Sequence, residues 1–207
     1  MLKILGKAAS INVRKVLWTC AELGLDFERE DWGAGFADTN TAAFTALNPN
    51  ALVPVLIDGD FVLWESNSIC RYLAQREQAD SLLPADPRQR ARVEQWMDWQ
   101  SGELNNAWRY AFMGLVRKSA AHQDAGQLNL SVSHWNRHMG ILAQQLESTG
   151  AFVCGPQFTL ADVVLGLSTH RWMAAPIERP ALPMIDAYYA RLSERPGFMA
   201  HGRNGLP

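Results

Sequence analysis

The sequence predicts an α/β domain followed by an all-α domain built as a helical bundle. Within the first 78 residues, strand and helix patterns alternate, which is the order that a sheet with helices on its faces requires. Beyond residue 87 the apolar residues recur almost throughout at helical spacing. Residues 79–86 between them have the composition of a linker. We therefore expect domains at 1–78 and 87–207, joined by a linker at 79–86.

The elements of the first domain follow from apolar spacing and turn residues. Lys3–Leu5 predicts a short strand, and the apolar residues between Val13 and Leu23 predict a helix that Gly24 ends. Phe27–Trp32 alternates apolar and charged residues as a strand does. Asp58-Gly59 is a strong hairpin signal. Around it we expect a short helix at 41–47, strands at 53–57 and 61–64, and a helix at 66–75.

The second domain begins at a typical helix start. Asp86 offers an N-cap acceptor and Pro87 stands at the first helical position. Helical patterns then cover residues 88–115, 127–148, 159–174 and 183–194. Only Phe152–Cys154 resembles a strand.

Composition and charge exclude several classes of function. Hydrophobic residues make up 48% and charged residues 19% of the chain, and the formal net charge is −2. Such a balance provides no basic field for nucleic acid or an anionic membrane. The first residues read as a strand rather than a signal peptide, and no apolar run approaches a membrane span. Three widely spaced cysteines suggest neither a disulfide framework nor a metal site, so we expect a cytoplasmic protein without metal.

Polar side chains follow the first predicted strand where the chain turns into a helix. Ser10 and Asn12 stand at this helix start, where unpaired N–H groups and the helix dipole favour an anion. Their hydroxyl and amide groups can donate to a thiolate, although both residues are also good helix caps. The turn has no cysteine, which a thiol–disulfide oxidoreductase would carry, and Cys20 lies on the predicted apolar face of the helix.

Two further segments offer groups for a peptide-like ligand. Val53-Pro54 follows a turn and begins a strand, so Pro54 is either an ordinary strand-start proline or part of a cis bond. A cis bond would leave the backbone of Val53 free to pair with an extended peptide. Glu65 and Ser66 stand where a strand runs into a helix, and they could hold an ammonium and a carboxylate respectively. An ordinary helix cap is the alternative for this pair.

Together these motifs resemble the glutathione-binding half of the glutathione S-transferase family. The matching stretches are Ser10-x-Asn12, Asn48-Pro49-x-x-x-Val53-Pro54-Val55-Leu56 and Glu65-Ser66-x-x-Ile69-x-x-Tyr72-Leu73. Cysteine and tyrosine are both missing from the first turn, and the Ser/Asn pair is most similar to bacterial theta- and nu-like members.

The second half of the chain carries the same resemblance. Phe158-Thr159-Leu160-Ala161-Asp162-Val163 resembles the buried capping box of the family, and Leu192-x-x-Arg195-Pro196 fits the end of its helical domain. Trp96-Met97-Asp98-Trp99 and the stretch 113–117 are similar to bacterial members that act on small haloacids.

The resemblance implies a thioredoxin-like first domain that binds glutathione, and a helical domain that supplies the electrophile pocket. Ser10 and Asn12 are then the catalytic residues, which activate the glutathione thiol without a metal. Glutathione contacts are expected from Val53, Pro54, Glu65 and Ser66. A homodimer is also implied. Two alternatives stay open: glutathione-dependent reduction of peroxides or disulfides, and a non-enzymatic ligand-binding or regulatory role on the same fold.

The electrophile pocket is expected on the helix that the resemblance places beside the thiol. Arg109 stands among aromatic residues there, and its guanidinium can bind a planar carboxylate through two parallel hydrogen bonds. We therefore expect a small and anionic electrophile such as a 2-haloacid, although most helical arginines are solvated or ion-paired. Core packing is the alternative for the aromatic candidates. The pocket candidates are Trp108, Arg109, Phe112, Met113 and Trp172.

Overall fold

The computed structural model describes residues 1–205, which divide into two compact units. The first unit contains residues 1–84 together with 196–205, and the second contains residues 85–195. The first unit contains a mixed sheet with helices, and the second contains helices without a sheet. This confirms the predicted α/β plus all-α architecture.

The sheet of the first unit has four short strands in the order β2-β1-β3-β4. β1 pairs in parallel with β2 and antiparallel with β3, which pairs antiparallel with β4. Leu5 on β1 lies opposite Val55 on β3, and both are buried. The strands are β1 (Leu2–Leu5), β2 (Phe27–Glu30), β3 (Val55–Asp58) and β4 (Phe61–Trp64).

Helix α1 (Ile11–Leu23) is the largest helix of this unit, and it packs against α3 (Ser66–Arg76). It ends at Gly24, whose left-handed φ of 65° is the C-terminal signal expected from the sequence. A single-turn helix, α2 (Ala42–Thr45), lies where a short helix was predicted. Cys20 is fully buried in α1, which confirms its predicted place in the core.

The segment 196–205 groups with the first unit, whereas the sequence placed residues 87–207 together in the helical domain. Its single helical turn, Phe198–Gly202, packs against α1. Phe198 is fully buried, with its ring centroid 4.9 Å from that of Trp18. A Cβ on Gly197 would lie 2.6 Å from the Trp18 ring, so the backbone approaches α1 as closely as glycine permits. Residues 206 and 207 of the predicted domain lie outside the described range.

The second unit is helical, as predicted. Asp86 caps the first helix by accepting hydrogen bonds from the N–H groups of Arg88 and Gln89. A single helix was predicted over 88–115, and two α-helices are observed there. A wider π-helical turn at 100–104 joins them, and a second one at 112–116 follows the second helix. Phe152 forms only an isolated bridge with Gly155. The helices are α4 (Pro87–Trp99), α5 (Asn105–Ala111), α6 (Ala125–Thr149), α7 (Leu160–Ala174) and α8 (Pro183–Ser193).

Helix α7 forms the centre of the second unit, since all its residues from Leu160 to Trp172 are buried. Its start is the predicted capping box, in which Asp162 accepts hydrogen bonds from the Thr159 N–H at 2.8 Å and the Val153 N–H at 2.9 Å. The Tyr188 hydroxyl donates to the same carboxylate at 3.1 Å. Burial raises the pKa of Asp162 to about 6, although these hydrogen bonds act in the opposite direction.

Among residues 1–205, no helix is both long and apolar enough to cross a bilayer. The same part of the chain contains no group of three or more His, Cys, Asp or Glu side chains arranged to hold a metal ion.

Candidate functional site

The candidate site of the first unit lies where the turn between β1 and α1 meets the loop before β3. Gly6 opens this turn with a φ of 151°. A Cβ at this position would lie 2.5 Å from Val13 and 3.0 Å from Val53, so a side chain would push these two segments apart. Glycine therefore permits the close approach of the turn to the loop that carries Val53.

Ser10 and Asn12 present polar groups at the start of α1. Ser10 occupies the N-cap position, but its side chain makes no capping hydrogen bond. Asn12 accepts a hydrogen bond through Oδ1, and within residues 1–205 its Nδ2 has no partner. Both residues are half-buried. A hydroxyl donor and an amide donor therefore remain available at the positive end of the helix dipole.

The Val53–Pro54 peptide bond is cis, which decides between the two alternatives that the sequence left open for Pro54. β3 begins only at Val55, and neither the N–H nor the C=O of Val53 has a hydrogen-bond partner within the described part of the chain. One backbone donor and one backbone acceptor are thus available at the edge of this turn. An extended peptide can use this pair as it would use a neighbouring strand.

Glu65 and Ser66 lie at the start of α3, next to the first turn. The Ser66 hydroxyl donates to Asn12 Oδ1 at 3.4 Å, so the structure brings a predicted glutathione-binding residue together with a predicted catalytic one. Glu65 is exposed and has a φ of 72°, a left-handed value that glutamate rarely adopts. Such strain is found most often at functional sites.

The predicted pocket residues of the second unit fall into two groups. Trp108 and Phe112 are buried with ring centroids 5.4 Å apart, and Met113 beside them is half-buried. Arg109 projects from the same helix but is exposed, so the structure does not place it between these rings. Trp172 is buried on α7 and donates to Asn136 Oδ1 at 2.8 Å.

The arginine in contact with the aromatic pair is Arg171, which the sequence analysis missed. Its guanidinium carbon lies 4.3 Å from the Trp108 ring centroid and 4.1 Å from that of Phe112, and the side chain is buried. These distances are typical of cation–π contacts. The available signal was the apolar composition at the start of the predicted helix, because a helix that is apolar on all sides is buried and a charged residue along it needs partners.

None of the thiols resembles an activated nucleophile. Burial raises the pKa of Cys20 to about 12 and that of Cys70 to about 11. Burial likewise raises the pKa of Cys154 to about 12. A thiol of this kind is almost entirely protonated at neutral pH, so none of the three cysteines supplies a thiolate.

Comparison with known proteins agrees with this geometry. Residues 9–76 match the family model of the glutathione S-transferase N-terminal domain. The chain is 35% identical to glutathione S-transferase GstB of Escherichia coli K12 over 198 residues, covering 95% of each protein. It is 32% identical to glutathione S-transferase 3 of Zea mays, covering 95% of this chain and 91% of the maize protein.

The same relationship appears among solved structures. The glutathione-bound theta class glutathione S-transferase of Xanthomonas axonopodis pv. citri matches with a TM-score of 0.90 and 36% identity, covering 100% of this chain and 99% of that one. The likeness to the Escherichia coli protein extends over nearly the whole of both sequences. The chain therefore belongs to the glutathione S-transferase family and is a glutathione transferase.

Proposed function

We propose that the protein conjugates the glutathione thiolate to small electrophiles, with Ser10 and Asn12 as the groups that activate the thiol. The observation that carries this proposal is the pair of available donors at the start of α1. The Ser10 hydroxyl makes no capping bond, and Asn12 Nδ2 has no partner within residues 1–205. Donors that are not used for capping can be used for a bound anion.

The energy that activation requires is of the size that such donors provide. A free thiol with a pKa of about 8.5 is only a few per cent thiolate at neutral pH. Lowering this pKa by about two units takes roughly 2.7 kcal/mol of preferential thiolate stabilisation. One or two charge-assisted hydrogen bonds together with the helix dipole supply about this amount. The residues of the first unit can therefore generate the nucleophile.

The remaining contacts of glutathione are assigned by the chemistry of its ends. The unpaired N–H and C=O of Val53 suit the central peptide of the ligand, and Pro54 sets the position of this backbone. Ser66 and the N–H groups at the start of α3 suit the γ-glutamyl carboxylate, while the exposed carboxylate of Glu65 suits its ammonium. These assignments place glutathione across the starts of both α1 and α3.

We propose that alanine at Ser10 or Asn12 lowers turnover without loss of the fold. Ser10→Ala removes a hydroxyl that makes no capping bond, and Asn12→Ala removes an amide donor without a partner in the described part of the chain, together with the Oδ1 that accepts from Ser66 at 3.4 Å. Turnover with a model electrophile should fall by tenfold or more in each, on the order of 1.4 kcal/mol. Their melting temperatures should stay within a few degrees of wild type. Steady-state kinetics and thermal unfolding measure the two effects. Full activity in both variants would refute the assignment.

The preferred electrophile is proposed to be small and anionic, such as a 2-haloacid. Arg109 is exposed, and within residues 1–205 it forms no ion pair, so its guanidinium is available to a carboxylate. Trp108, Phe112, Met113 and Trp172 remain the proposed apolar part of this pocket. A carboxylate-bearing substrate gains more from the Arg109 cation than a neutral one does.

The matching experiment compares a haloacid with its neutral amide in wild type, Arg109→Ala and the control Arg137→Ala. Arg137 is an exposed arginine of α6. Arg109→Ala should lose roughly tenfold or more in kcat/KM against the acid and little against the amide, on the scale of 1.4 kcal/mol. Arg137→Ala should behave as wild type. Equal losses on both substrates in Arg109→Ala would mean that Arg109 does not orient the acid.

We further propose that the protein acts as a cytoplasmic homodimer in the detoxification of such electrophiles. Support for a second copy comes from β4, which is the edge strand of the sheet and carries two large exposed side chains. Phe61 is 43% exposed and Trp64 is 36% exposed. These side chains are three residues apart on the strand, so they project from opposite faces of this edge. Large exposed apolar side chains commonly mark an interface.

A further inference from the structure

Arg14 is a buried cation one helical turn beyond Ser10. Its side chain is only 5% exposed. Within residues 1–205 no carboxylate forms an ion pair with it. A buried guanidinium without a counter-ion needs hydrogen-bond acceptors, because its desolvation is otherwise costly. The backbone carbonyls that accept from Arg14 therefore indicate which segments of the chain this side chain connects.

The Arg14 side chain holds the turn between β1 and α1. Its Nε donates to the Ala8 carbonyl at 3.0 Å. The Arg14 backbone N–H donates to the Ser10 carbonyl at 2.9 Å, which is the ordinary hydrogen bond of a first helical turn and does not depend on the side chain. Ala8 lies two residues before Ser10, so the side-chain contact restrains the turn directly before the N-cap.

The same guanidinium also reaches the segment 196–205. Arg14 Nη1 lies 3.4 Å from the Gly202 carbonyl and 3.3 Å from the Gly205 carbonyl. These residues are separated from Arg14 by 188 and 191 positions along the chain. One planar cation thus joins the turn that carries Ser10 to a distant segment that packs on the same unit.

The segment 196–205 is held in a defined position for this contact. Phe198 is buried against Trp18, and a Cβ on Gly197 would lie 2.6 Å from the Trp18 ring, so the segment packs closely on α1. His201 carries no competing charge at neutral pH, because burial lowers its pKa and the positive charges of Arg14 and Arg29 lower it further. Arg14 therefore meets carbonyl dipoles rather than another cation.

We propose that Arg14 is a positioning residue for thiol activation. By binding both the turn before Ser10 and the segment 196–205 as its support, Arg14 holds the turn in the position that orients Ser10. This inference rests on the proposed function of Ser10. The fork of the guanidinium is essential, since a single ammonium cannot donate in the same plane to Ala8 on one side and to the two glycine carbonyls on the other. Loss of either the fork or the support should let the turn move.

The test measures the pKa of the bound glutathione thiol from the ultraviolet absorbance of the thiolate in the glutathione complex. Arg14→Met removes the fork, and Arg14→Lys keeps the charge but not the fork. Gly202→Ala leaves Arg14 intact and displaces its support, because a Cβ on Gly202 would overlap the Phe198 ring. Gly140→Ala on α6 is the matched control, because a Cβ there meets no atom within 4 Å.

The proposal expects a raised thiol pKa in all three test variants, by about one unit in Arg14→Met, and an unchanged value in Gly140→Ala. One unit corresponds to a tenfold loss of thiolate below the pKa. Turnover at neutral pH should fall in parallel, while the KM for glutathione changes less. If Arg14→Met does not fold, Gly202→Ala and Arg14→Lys still decide the question.

Two results would overturn the inference. A lower melting temperature with an unchanged thiol pKa would make Arg14 a structural residue only. Restoration of the wild-type pKa by Arg14→Lys would mean that charge alone acts. If instead wild type shows no thiolate in the glutathione complex, the proposed function itself fails, and the inference fails with it.

Discussion

Glu65 combines an unfavourable backbone conformation with a proposed binding role. Its φ of 72° is left-handed, and its carboxylate is exposed at the start of α3. Gln78 has a similar φ of 52° and is also exposed, but it lies beyond the end of α3, away from the proposed site. Variants at Gln78 therefore report the energetic cost of the positive φ alone, whereas variants at Glu65 report this cost together with any loss of a ligand contact.

Replacing Glu65 with glycine should stabilise the protein and weaken glutathione binding. Glycine adopts positive φ without strain, so both Glu65→Gly and Gln78→Gly should raise the free energy of unfolding, by up to about 1 kcal/mol. Only Glu65→Gly should weaken glutathione binding, by roughly 1.5–3 kcal/mol, the scale of a hydrogen bond to a charged group. Chemical denaturation and titration calorimetry measure these effects. Unchanged affinity in Glu65→Gly would remove Glu65 from the proposed site.

At the scale of one element, the two helix caps Asp162 and Asp124 should contribute unequally to stability. Asp162 at the start of α7 should contribute far more unfolding free energy than Asp124 at the start of α6. Asp162 is fully buried and accepts two backbone N–H groups, while Asp124 caps α6 at an exposed position. Asp162→Ala leaves buried donors unpaired and should cost at least about 3 kcal/mol of unfolding free energy. Asp124→Ala should cost about 1 kcal/mol. Equal losses in denaturant unfolding would contradict this difference in burial.

The same carboxylate should make stability depend on pH. The pKa of Asp162 is raised to about 6 from an ordinary 3.8, so between these values the folded state binds more protons than the unfolded state. The unfolding free energy contributed by Asp162 is thus greatest below about pH 4, decreases as the pH rises through about 6, and is constant from about one pH unit above that. Subtracting Asp162→Asn, which does not titrate, cancels the other carboxyl groups. The difference should fall by roughly 2 kcal/mol between pH 4 and 7. A constant difference would mean that the pKa is not raised.

At the scale of the whole molecule, the proposed dimer should depend on the aromatic edge of the sheet. Phe61 and Trp64 are exposed on β4, and burying them in a second copy would remove a large apolar area from water. Light scattering at micromolar concentration should give twice the 23.1 kDa mass of the chain. Phe61→Glu should shift this mass toward the monomer. The control Phe36→Glu changes another exposed phenylalanine, which is 57% exposed in a loop, and should leave the dimer intact. A monomeric wild-type protein would end the proposal.

The sequence by itself determined the order of the elements and their approximate bounds. These features depend on local signals: apolar periodicity, the left-handed Gly24, the Asp86-Pro87 start and the Thr159–Asp162 capping box. The local pattern gave Asn12 and Ser66 as separate candidates, and the family resemblance assigned both to one glutathione site; the structure brings them within hydrogen-bonding distance. Local patterns suffice wherever neighbouring residues along the chain decide the conformation.

Only the tertiary structure decided which distant residues meet. Arg14 and Gly202 are 188 positions apart, and nothing in the local pattern of either predicts their contact. Arg109 and Arg171 both neighbour a tryptophan in the sequence, yet Arg109 is exposed and Arg171 lies over the Trp108 and Phe112 rings. Periodicity shows which face of a helix is apolar. The element that covers this face depends on packing between residues far apart in the chain, and this packing determines that Arg109 is exposed and Arg171 is buried.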